Sequence, residues 1–98
     1  MKIVILNKTK NELKVRIDGE GHTFCNVVQK ALLKDKRVEL AGYDIPHPLT
    51  SSPIIYLRTK ERSNPVKTLR DATRDVLKDT DAFKAALKKA LKEWKSTA

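Results

Sequence analysis

His22 and Cys25 stand three residues apart, a spacing that brings both side chains to one face of a helix, and His47 would complete three of the nitrogen and sulfur ligands that zinc takes. A closed structural site wants four ligands, and the third here would have to come from a distant loop, Pro46-His47-Pro48. Cys25 therefore reads as a small buried hydrophobe, and His47 as a loop residue bonded to backbone or to a partner, with no metal expected. The three glycines, Gly19, Gly21 and Gly42, form neither a P-loop nor a dinucleotide fingerprint. No Ser-His-Asp or Cys-His arrangement has supporting spacing, so the chain is expected to have no catalytic residues, no cofactor and no small-molecule substrate of its own. Tyr43 reads as a core or inter-subunit anchor.

What remains is charge and apolar pattern. Lys plus Arg outnumber Asp plus Glu by 21 to 12, giving +9 at pH 7, which raises the chance of contact with nucleic acid or an acidic partner. With 98 residues, 40% hydrophobic and 34% charged, the chain is expected to form one domain over residues 1–98 around one core. Its longest apolar run, Ile3 to Leu6, is far short of the roughly 20 residues that span a bilayer. A single cysteine permits no internal disulfide, which fits a reducing compartment and a cytoplasmic expectation.

The elements that must position these residues follow from periodicity. Ile3-Val4-Ile5-Leu6 is a β-branched run and Leu13-Lys14-Val15-Arg16-Ile17 alternates apolar with charged, so the two read as strands joined by a short loop. Phe24, Val27, Val28, Ala31 and Leu32 then recur at helical spacing, with Thr23 as the expected N-cap. Val38 and Leu40 alternate with charge and suggest a third strand with Leu40 facing the core; Ile54 to Lys60 reads as a fourth. Asn64-Pro65 opens a final helix, Asn as cap and Pro at the first turn.

In that helix Leu69, Thr73, Val76, Thr80, Phe83, Leu87, Ala90 and Trp94 are spaced 4, 3, 4, 3, 4, 3, 4, a heptad seam widened by Val66, Leu77 and Leu91. A continuous helix from Pro65 to Lys95 would run about 46 Å, longer than the roughly 33 Å width of a compact domain this size, and its overhanging stripe would call for a second chain. The alternative is a break at Asp79-Thr80-Asp81, with Thr80 capping a separate helix folded back on the domain. Neither Gly nor Pro marks such a break, so the continuous helix is the expectation.

Several of these residues also carry a likeness. His22-Thr23-Phe24-Cys25-Asn26-Val27-Val28, Leu32-Leu33, Val38-Glu39-Leu40-Ala41-Gly42-Tyr43 and Pro46-His47-Pro48-Leu49 together resemble the alpha-like motif of the small assembly subunits of cellular RNA polymerases, in their archaeal branch. The likeness covers nearly the whole chain; Gly21 departs from it where an acidic residue is expected, which bears only on the capping of the first helix. It implies an α+β fold of order ββαββα, a four-stranded antiparallel sheet with two helices on one face and a long C-terminal helix. It further implies a non-catalytic subunit of a multisubunit nucleotidyltransferase, DNA-directed RNA polymerase. Such a subunit pairs with a larger alpha-like subunit, D in archaea, to form the assembly platform for the catalytic subunits, and meets DNA only indirectly, through the assembled enzyme. Interface or core roles then fall to Phe24, Val27, Val28, Ala31 and Leu32 of the first helix and to Leu69, Val76, Phe83, Leu87 and Trp94 of the last.

The competing reading is a stand-alone basic nucleic-acid-binding protein. The charge supports it, but aromatics are only 5% and Phe24, Phe83 and Trp94 all fall at expected buried helical positions, leaving bases little to stack on.

Overall fold

The β-branched N-terminal run extends as β1 (Lys2–Lys8) and turns into β2 (Glu12–Asp18). Within the turn the Thr9 amide donates to the Glu12 carbonyl and the Glu12 amide donates back to Thr9 Oγ1. After α1 (His22–Leu33) come β3 (Val38–Asp44) and β4 (Ile54–Thr59), then α2 (Pro65–Thr73) and α3 (Thr80–Thr97). The structure is a computed structural model and describes residues 2–45, 52–74, 76 and 80–97. Pro46, His47, Pro48, Leu49, Leu77 and Asp79, all of which enter the sequence reading, lie outside the described residues.

The four strands form one antiparallel sheet in the order β1-β2-β4-β3. The alternation in β2 does what its period requires: Leu13, Val15 and Ile17 face the helices, and Lys14 and Arg16 face away. Ile3 and Ile5 of β1 and Ile55 and Leu57 of β4 join them, and α1, α2 and α3 close over that same face around a single core. The fold is therefore the expected α+β arrangement, with the other face of the sheet left open by the described helices.

Three local expectations are corrected. The N-cap of α1 is Gly21, with no side-chain hydrogen bond, so Thr23 lies inside the helix. A bulge between Val38 and Leu40 shifts the alternation of β3: Val38 opposes Thr59 on the covered face, but Leu40 opposes Arg58 on the open face, where it is 50% exposed. Alternation alone cannot register the extra residue. The opening of α2 is as read, with Asn64 Oδ1 accepting from the amides of Val66 at 2.9 Å and Lys67 at 3.2 Å, and Pro65 at the first turn.

The third correction concerns the C-terminal helix, which is two helices. Toward its end α2 tightens: the Thr73 hydroxyl donates back to the Leu69 carbonyl at 2.7 Å, and the Arg74 and Val76 amides bond three residues back, to Asp71 and Thr73. The second helix, α3, then lies against β1. The physical reason is the edge strand itself. A continuous helix would run off the domain and leave Ile3 and Ile5 in water, whereas folding α3 back buries them together with Phe83, Leu87 and Ala90. The longest dimension of the molecule is 37 Å, and among the described residues no helix overhangs the sheet.

Candidate subunit-docking surface

The helix layer is the face on which the sequence-derived site residues gather, and burial sorts them into two groups. Val28, Ala31 and Leu32 of α1, Leu69 of α2, and Phe83 and Leu87 of α3 are buried within this chain. Phe83 and Leu87 thus belong to the chain's own core, where the heptad seam placed them toward a second chain. Phe24, Val27 and Trp94 are half-buried and Val76 is exposed. Phe24 and Phe83 meet with ring centroids 6.3 Å apart at 44°, a tilted pair that joins the start of α1 to the start of α3.

Between α2 and α3 runs a groove of about 430 Å³, lined by Val66, Arg70, Lys84, Ala85, Leu87, Lys88 and Leu91. It continues toward the start of α3 past Asp71, Thr73, Arg74 and Phe83. Its floor is apolar and its rim is basic. The helical period explains this: Leu87 and Leu91, four apart, look down, while Lys84 and Lys88, likewise four apart, stand one position round on the exposed side. In the sequence alone Lys84 and Lys88 are lysines on the polar face of a helix; that residues of α2 line the space beside them, making part of that face the wall of a groove, is not visible in any local pattern.

The remaining charges are spent differently. On the open face of the sheet Arg16 pairs with Asp18 at 2.9 Å and Arg58 with Glu12 at 2.7 Å, so that much of its charge is neutralised locally. Arg37 reaches both oxygens of Asp35 and then Asp71 of α2 at 3.3 Å, tying the approach to β3 to the helix layer. These bonds to Arg37 hold the Asp35 carboxyl below the usual carboxylate range. Lys84 and Lys88 carry no acidic partner among the described residues.

Cys25 is fully buried, and burial pushes its thiol up to about 11, which suits an inert core residue. Among the described residues no three His, Cys, Asp or Glu side chains come together as a metal site. No helix among them is long and apolar enough to cross a membrane.

Comparison with known proteins places this geometry. The family described as the RNA polymerase Rpb3/Rpb11 dimerisation domain matches residues 12–86, from β2 into α3. The chain is 41% identical over 91 residues to DNA-directed RNA polymerase subunit Rpo11 of Methanosarcina barkeri, covering 93% of this chain and 98% of that one. It is likewise 41% identical over 83 residues to the subunit Rpo11 of Methanocella arvoryzae, covering 85% and 89%. Its fold is similar to the crystal structure of DNA-directed RNA polymerase subunit L from Thermoplasma acidophilum, with a TM-score of 0.68 and 26% identity over 99% of this chain and 95% of that one. Sequence and overall fold agree, and the chain belongs to the RNA polymerase Rpb3/Rpb11 dimerisation-domain family, with the archaeal polymerase subunits known as L or Rpo11.

Proposed function

We propose that this chain is the smaller, non-catalytic member of an alpha-like pair. Its helix layer docks on that of a larger alpha-like subunit, D in archaea, and the pair is the platform on which the catalytic subunits of the polymerase assemble in the cytoplasm. Contact with DNA comes only through the assembled enzyme. The observation that carries this reading is the match of residues 12–86 to a dimerisation domain, a span that takes in all of α1 and α2. The half-exposed apolar side chains of the helix layer support it. Phe24, Val66, Leu91 and Trp94 rest against the core yet keep part of their surface in water, Val27 is half-buried, and Val76 is more open still. Covering them would add to association in proportion to the apolar area removed from water.

In this reading Phe24, Val27, Val76 and Trp94 are interface residues, while Val28, Ala31, Leu32, Leu69, Phe83 and Leu87 shape the layer from beneath. Co-expression with the larger alpha-like subunit from the same genome tests it. A 1:1 complex by light scattering is expected, with aggregation or weak self-association of the chain made alone. A soluble monomer at high concentration that ignores that subunit would contradict the proposal.

A further inference from the structure

We propose that the chain has a second binding surface, a basic end built from three turns, that holds the phosphate chain of a nucleic acid without reading its sequence. In the assembled enzyme this is the chain's own contact with nucleic acid, and none of the residues assigned to the pairing lies in it. Hydrogen bonds bring the turns together. The Asn11 side-chain amide, between β1 and β2, donates to the Lys60 carbonyl at 2.8 Å and to the Ser63 carbonyl at 3.4 Å, and the Lys60 amide donates to the Arg37 carbonyl at 2.9 Å. Residues 9–11, 34–37 and 60–63 thus gather at one end of the sheet, with six basic side chains against two acidic ones.

These cations are left over after pairing. On the open face Arg16 and Arg58 have carboxylate partners, and within the turns Arg37 takes up Asp35 at 2.7 Å. Lys10, Lys34, Lys36, Lys60 and Arg62 are exposed and make no ion pair among the described residues. Arg62 adds a second observation. It is the one non-glycine residue at positive φ among those described, at 70°, where glycine or asparagine would sit with less strain. The Asn11 bonds and the Ser63 amide, which donates to the Lys60 carbonyl at 3.0 Å, hold the turn in that shape. A strained position that its surroundings maintain, and that presents a cation, serves a ligand better than it serves stability. The occupant follows from what the turns lack. They carry no aromatic side chain on which a base could stack, so contact falls on phosphate. The large apolar side chains exposed among the described residues, Leu6, Leu33, Leu40 and Val76, all lie outside the turns, so an acidic protein segment would find charge there without an apolar anchor.

The test uses the full-length chain, with binding read by fluorescence anisotropy of short labelled single-stranded RNA and duplex DNA between about 50 and 200 mM salt. The triple variant Lys36→Gln/Lys60→Gln/Arg62→Gln removes three charges from the turns, and Lys84→Gln/Lys88→Gln/Lys89→Gln removes three exposed charges from α3 as the control for net charge. The proposal predicts about a tenfold or greater loss for the triple variant at low salt, with the slope of log affinity against log salt shallower by about 2 to 3, and a control within about twofold of the parent. Arg62→Gly relieves the positive φ and should unfold no earlier than the parent, yet its salt slope should fall by about 1. This single variant also stands in if the triple variant fails to fold. Tighter binding of either probe supports the proposal and names the strand that is held. No binding by the parent chain at low salt, or equal losses in the triple variant and the control, overturns it. So does an Arg62→Gly variant that loses stability and keeps its affinity. Polyglutamate that competes as well as RNA at equal charge would overturn the nucleic acid in favour of an acidic protein.

Discussion

Replacing Phe83 by Ala tests directly whether α3 folds back over β1. Phe83 is 2% exposed, and its ring meets Phe24 as well as the core built on Ile3 and Ile5. Removing a buried phenylalanine side chain costs about 3–5 kcal/mol, combining lost transfer energy with the cavity left behind. Here the vacated space borders the groove through Arg70, Asp71 and Lys84, so that water can enter it in part, and the lower end, about 3 kcal/mol, is expected. Urea unfolding of the full chain followed by circular dichroism reads the loss as a lower midpoint at unchanged slope. Phe83→Leu, expected to lose about 1 kcal/mol, serves if the alanine variant is too unstable to measure. Leu40→Ala is the contrast: at 50% exposure on the open face it should cost well under half as much. A Phe83→Ala variant that loses less than about 1 kcal/mol, or no more than the Leu40→Ala variant, would refute the placement of α3 on the sheet.

Three smaller predictions concern buried or bonded polar groups. Thr68 is fully buried and its hydroxyl has no hydrogen-bond partner among the described residues, so Thr68→Val should hold or raise stability by about 1 kcal/mol in the same urea assay; a loss would mean that the hydroxyl is bonded. The Asp35 carboxyl, lowered by Arg37, contributes stability that is present above the unfolded carboxylate range and lost as pH falls through the lower folded value. Asp35→Asn should therefore cost roughly 1 kcal/mol at pH 7 and converge on the parent under acid conditions, and a constant gap across pH would contradict this. Cys25, with its thiol at about 11, should resist a thiol reagent at pH 8 in the folded chain and react at once in denaturant; fast labelling of the folded chain would place it at the surface.

Most of the fold was legible because period and punctuation agreed. The alternation of Leu13 to Ile17, the helical spacing of Phe24 to Leu32 and the Asn64-Pro65 start each follow from a local rule that tertiary packing left intact. What was not legible depended on neighbours distant in sequence. Leu40 turned outward because of a bulge opposite β4, which no feature of residues 38–40 announces. The heptad spacing from Leu69 to Trp94 is compatible with one helix or with two that bury the same stripe. The choice falls to the need of β1, some eighty residues earlier in the chain, for a cover over Ile3 and Ile5. The candidate site was half legible for the same reason. Its apolar members were visible as a stripe, but the groove exists only because residues of both α2 and α3 line it, and its basic rim reads from sequence as ordinary solvated charge.

The most direct measurement of the central claim is affinity purification of the tagged chain from its native cell at moderate salt, with the co-purifying proteins identified and their stoichiometry quantified. A polymerase subunit of the alpha-like pair should bring down the larger alpha-like subunit in equal amount together with the two large catalytic subunits, and nuclease treatment should leave that set unchanged. Recovery of nucleic acid without polymerase subunits, or of a set that nuclease disperses, would contradict the account.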